Sequence, residues 1–120
     1  MTAGDDKLLD VCSDVVVRFK AHDSYKTEIR ALAALQRRAP GYQTEQYANT
    51  FDLLCETYDK AVTLVPHNKV DNPNKTSPFA EFSDIDYAAC LKELDKNQPG
   101  LAVRQKEEIL TWVIYWHYLR

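Results

Sequence analysis

The chain has 120 residues, of which 45% are hydrophobic and 28% charged, and its formal net charge is -3. That is the composition of one globular domain, and it excludes wholesale disorder, a collagen-like repeat and a disulfide miniprotein. With 15 Lys and Arg against 18 Asp and Glu there is no strong positive surface for general nucleic-acid binding, and three glycines leave little material for a phosphate-cradling loop.

Five helices are predicted in chain order. The first runs from about Asp5 to Ala21, because Leu8, Cys12, Val15, Val16 and Phe19 recur on one helical face. Asp5, Asp6 and Asp10 sit near its positive end. Ser24 is the expected N-cap of the second helix, Tyr25 to Arg38, with Ile29, Leu32 and Leu35 or Gln36 facing inward and Pro40-Gly41 as its stop. Arg37 and Arg38 fall where cations complement the helix dipole. Thr44 is expected to cap the third helix, Glu45 to Val65. Its stripe of Tyr47, Phe51, Leu54, Tyr58, Ala61 or Val62, and Val65 is the clearest in the chain, and Pro66 should end it.

A loop over residues 66–82 follows, carrying Pro66, Pro73 and Pro78. Ser83 with Asp86 reads as a variant capping box, and Phe82 and Tyr87 occupy the two positions of a hydrophobic staple. The fourth helix then extends to about Lys96, with Tyr87, Cys90 or Leu91, and Leu94 inward, and Asn97-Gln98-Pro99-Gly100 breaks it. The fifth runs from about Val103 to the C-terminus. It is polar from Arg104 to Glu108 and apolar nearly all round from Ile109 to Leu119. A helix apolar on every side must be covered on every side, so it is either the central helix or partly covered by a partner or a second copy. The expected fold is all-α: a single domain over residues 1–120, built as a bundle of four to five antiparallel helices with one long loop.

Few residue patterns point to chemistry. His22-Asp23 is the dipeptide that names the HD phosphohydrolases, but no His precedes His22, and the expected role of the pair is at the junction of helices one and two. Residues Tyr58 to Pro66 are faintly similar to the end of a tetratricopeptide repeat, whose upstream small-residue positions are missing. His22, His67 and His117 show neither the i, i+4 spacing of helical zinc sites nor a Glu-x-x-His pattern, and no metal or cofactor is expected. Cys12, Cys55 and Cys90 lie far apart among apolar residues, so buried free thiols in a reducing compartment are expected. No G-x-S-x-G or phosphate-loop motif occurs.

Two groups stand out as candidate sites. Asp52, Glu56 and Asp59 share one face of the third helix at i, i+4 and i+7, opposite its apolar stripe, where like charges cost a few tenths of a kcal/mol each. They are candidates for docking a basic partner. Tyr58, Trp112, Trp116 and His117 are candidates for an aromatic pocket. No stretch reaches the roughly 20 apolar residues of a membrane span, and the polar, acidic N-terminus is unlike a signal peptide. The leading expectation is a non-catalytic, cytoplasmic protein-binding domain such as an adaptor, an inhibitor or an immunity-type protein, with no nucleic-acid or membrane partner. The alternatives are a small enzyme or ligand-binding protein with its pocket near His117, and a homo-oligomeric bundle paired through the C-terminal helix.

Overall fold

The computed structural model describes residues 3–21, 24–70 and 79–119. The His22-Asp23 dipeptide and residues 71–78 of the expected loop lie outside them. The chain is all-α, with helices α1 (Ala3–Lys20), α2 (Glu28–Arg38), α3 (Thr44–His67), α4 (Tyr87–Asn97) and α5 (Val103–Ile114). A single 3-10 turn (Phe82–Asp84) precedes α4, and a π-helical turn (Tyr115–Leu119) follows α5. By internal contacts the chain divides into two compact units, Met1–Tyr58 and Asp59–Arg120, so that α3 begins in the first and ends in the second.

In the first unit, α1 packs against α2. Leu8, Cys12, Val15, Val16 and Val17 are buried on α1, and Ala31, Ala34 and Leu35 on α2. The expected inner face of α2 is therefore rotated: Ile29 is 80% exposed. The small alanines are what allow α1 to approach closely, and the larger Ile29 falls on the solvent side. Phe19 of α1 meets Phe51 of α3 with ring centroids 5.7 Å apart. The N-cap of α2 is Thr27, not Ser24, and its hydroxyl accepts from the Arg30 N–H at 3.2 Å. The turn from α2 to α3 is held by Tyr47, whose hydroxyl donates to the Ala39 carbonyl and accepts from the Tyr42 N–H. Gly41 there has φ +98°, a backbone state open to glycine at little cost. Helix α3 includes Thr44 as its first residue, and the Gln46 side chain reaches back to accept from the Gln43 N–H.

The stripe on α3 is buried along its length, from Tyr47 and Phe51 through Leu54 and Tyr58 to Ala61 and Val65. The helix continues through Pro66 to His67. Proline removes one hydrogen bond, the one its N–H would make to the Val62 carbonyl, and because a single helical residue follows it the loss is confined to the end of the helix. Asn68 then caps the end, its side-chain amide donating to the Leu64 carbonyl and its backbone N–H to that of Val65.

In the second unit, the ends of the long loop are tied together. Val70 donates to the Asp84 carbonyl and Asp86 to that of Asn68, across an isolated antiparallel bridge between Lys69 and Ile85. This extended, buried Ile85 is why the expected capping box is displaced. Asp86 itself is the N-cap of α4, accepting from the Ala89 N–H at 3.0 Å, while the Asp84 carboxylate accepts from the Glu81 N–H. The Phe82 and Tyr87 rings do meet, at 5.6 Å. Helix α4 buries Cys90 and Leu94, and α5 packs against it.

One charge network ties α1 to α2. Asp14 accepts from Arg18 at 2.9 Å and from Arg38 at 2.6 Å, so Arg38 does more than complement the dipole. Partial burial alone would raise the Asp14 carboxyl; hydrogen bonds and charge from Arg38 and Arg18 overcome this and hold it below its usual value. A depressed carboxylate contributes stability that is complete above its unfolded value, about 3.9, and is lost as pH falls through the folded value. Because the three side chains are one-third to one-half exposed, the contribution stays below about 1 kcal/mol. Urea denaturation at pH 6 and pH 3 should show a smaller loss of stability on acidification in Asp14→Asn than in the parent chain.

Candidate functional site: an aromatic face on the last helix

Helix α5 has two sides of opposite character. Ile109, Leu110, Val113 and Ile114 are wholly buried. On the other side Arg104, Thr111 and Tyr115 are exposed and Glu108, Trp112 and Trp116 half-buried. The all-round apolar stretch is therefore covered on one side only, and Tyr115 is 52% exposed.

The setting of the helix about its axis is fixed by a charge. Lys106 is buried, with 3% of its side chain exposed, and its ammonium reaches Asp95 of α4 at 2.6 Å. A buried ammonium is tolerated only where a partner meets it, so α5 cannot rotate without stranding Lys106. This places Glu107 and Glu108 toward water. Tyr87, at the start of α4, donates its hydroxyl to the Glu107 carbonyl at 3.4 Å.

Two shallow depressions adjoin on this side. One, of about 310 Å³, is lined by Tyr87, Arg104, Glu107, Glu108, Thr111 and Trp112. The other, of about 290 Å³, is lined by Thr111, Trp112 and Tyr115. The aromatic rings run on from one to the next: Trp112 meets Tyr115 edge-on at 6.1 Å, and Tyr115 meets Trp116 at 6.3 Å.

Residues expected to converge lie apart. His117 is exposed and lines a different cavity of about 320 Å³ with Val62, Val65, Pro66, Lys69 and Tyr118. Trp112 and His117, five residues apart, point in different directions around the helix and do not share a cavity. Tyr58 is buried on α3 in the first unit. In the His117 cavity, Lys69 lies over the Tyr118 ring at 5.2 Å, and the Tyr118 hydroxyl donates to the buried Asp84 at 3.0 Å. Lys69 sits just past the C-terminal end of α3, whose negative dipole accounts for a cation there.

Asp52, Glu56 and Asp59 are exposed on one face of α3. The Cys12 and Cys90 thiols are poor nucleophiles. Burial, and then proximity to Cys55, pushes Cys12 up, and burial, and then Asp86, pushes Cys90 up. Cys12 and Cys90 are buried, Cys55 is half-buried, and none of the three is in a disulfide. Among the described residues no group of three or more His, Cys, Asp or Glu side chains is placed to hold a metal ion, and no helix is long and apolar enough to cross a membrane.

Arg104, Glu108 and Tyr87 were not singled out by sequence reasoning. The available signal was the spacing 104, 108, 111, 115, which repeats at 4, 3 and 4 residues and marks one face of a helix. Compared with known proteins, the chain matches no family model, no curated protein and no solved structure.

If Lys106 fixes the setting of α5, its two partners respond unequally to substitution. Asp95→Ala strands a buried ammonium and should cost about 2 kcal/mol, whereas Lys106→Met removes the charge and should change stability by less than about 1 kcal/mol. Chemical denaturation of the two variants checks the order.

Proposed function

We propose that the chain is a non-catalytic protein-binding domain of the cytoplasm, of the adaptor, inhibitor or immunity type. The observation that carries this reading is the aromatic run Trp112, Tyr115 and Trp116, with Tyr115 exposed and the tryptophans half-buried beside it, set on a helix whose opposite side is locked into the core. Aromatic side chains held at a water-facing surface by a rigid helix are the groups from which binding hot spots are built. They bring large contact area at low entropic cost.

Two further features support the same reading. The exposed carboxylates Asp52, Glu56 and Asp59 offer a second, charged surface that would steer a basic partner. The raised Cys12 and Cys90 thiols argue against cysteine nucleophiles, and free thiols fit a reducing compartment.

Affinity capture from native lysate by the parent chain and by the double variant Trp112→Ala, Tyr115→Ala tests it. Loss of two hot-spot side chains should weaken capture of a stoichiometric partner by about 30-fold or more. The triple variant Asp52→Lys, Glu56→Lys, Asp59→Lys should act mainly on the salt dependence and rate of association. A folded aromatic variant that captures the same partners equally well contradicts the assignment of the site.

A further inference from the structure

We infer that the exposed side of α5 pairs with the same side of a second copy of this chain, the two helices running antiparallel about a two-fold axis. The inference rests on the reading of this surface as a protein-binding site and names one partner for it.

Arg104, Glu108, Thr111 and Tyr115 follow one another at 4, 3 and 4 residues, the spacing that keeps one line of side chains facing a neighbouring helix. All four lie on the water side of α5. From Arg104 to Tyr115 the line is about 16 Å long, three turns of helix.

The seam is self-complementary in the antiparallel sense only. With the axis midway along it, Arg104 of each copy comes opposite Tyr115 of the other. Glu108 comes opposite Thr111. A guanidinium over a tyrosine ring is a favourable cation–π contact, and a threonine hydroxyl donates to a carboxylate. In a parallel pairing Arg104 would face Arg104 and Glu108 would face Glu108, both repulsive. Opposed helix dipoles favour the antiparallel arrangement as well. The small Thr111 near the axis lets the two backbones approach, and the two Trp112 rings fall on the same flank of the seam and close it.

Area is sufficient for a modest dimer. Tyr115 is 52% exposed and the two tryptophans less so, and together the three rings bring at most about 300 Å² per copy. Arg104, Glu107, Glu108, Thr111 and Tyr87 bring the rest of the roughly 600 Å² per copy that the smaller specific interfaces use.

Two measurements test the pairing. In sedimentation equilibrium the parent chain, of 13.8 kDa, should rise to about twice that mass with concentration. Arg104→Glu and Tyr115→Glu should each weaken association about tenfold or more. Register is read by crosslinking in a Cys55→Ser background. Oxidising a mixture of Glu108→Cys and Thr111→Cys chains of different tag length should give mainly the mixed disulfide. A chain that stays at 13.8 kDa at millimolar concentration overturns the pairing. So does crosslinking dominated by like chains, or an association unaffected by both glutamate variants. A monomeric chain whose capture of a foreign protein still depends on Trp112 and Tyr115 overturns the pairing and leaves the binding site standing. A monomeric chain with no such capture overturns both.

Discussion

Four aliphatic side chains of α5, Ile109, Leu110, Val113 and Ile114, leave water completely, and what can be said of function depends on this. Their transfer alone is worth roughly 6–12 kcal/mol before entropy is counted, as large as the whole net stability of a typical domain. Apolar burial has no direction of its own and tolerates some rotation of a helix. The buried Lys106 ammonium adds the direction, because it is held against the Asp95 carboxylate of α4. Together the two terms decide which residues of α5 remain outside, and those are Arg104, Glu108, Thr111 and Tyr115.

The outward side of α5 is costly in one respect. Trp112, Tyr115 and Trp116 keep apolar ring surface in contact with water, and a chain selected for stability alone gains by replacing them. Exposed single apolar residues such as Ile29 are ordinary. Three aromatic rings in edge contact on one rigid surface form a contiguous patch, and contiguous patches mark interaction sites. The His117 cavity differs in kind: its Lys69 is accounted for by the helix end and the Tyr118 ring beside it, and its Tyr118 is already engaged by Asp84.

Much of the fold was legible in the sequence because helical periodicity reports burial directly. The stripe on α3 and the apolar face of α1 appear in the structure residue for residue, with Phe19 less deeply placed. Boundaries were less legible. Ser24 and Ser83 are good caps by type, but capping is decided by where the backbone turns, and Thr27 and Asp86 hold those places. Proline at 66 and isoleucine at 29 show the same limit from the other side. Position in the last turn makes the proline harmless, and the alanine face of α2 makes the isoleucine external. Site residues were the hardest to read. Trp112 and Trp116 were visible as aromatic residues, yet which of them shares a surface with His117 depends on how the helix is set against its neighbours, which no local pattern announced. Arg104 and Glu108 acquire meaning only once Lys106 is known to point inward.

The central claim is that the aromatic side of α5 is open to water in the isolated chain and covered when the protein acts. Hydroxyl-radical footprinting of Trp112 and Tyr115, read by mass spectrometry in dilute purified protein and again in concentrated native lysate, measures this directly. The account predicts strong labelling of both residues when dilute and clear protection in lysate, with Tyr58 unlabelled in both. Equal labelling of Trp112 and Tyr115 in the two conditions, or protection already present in the dilute monomer, contradicts it.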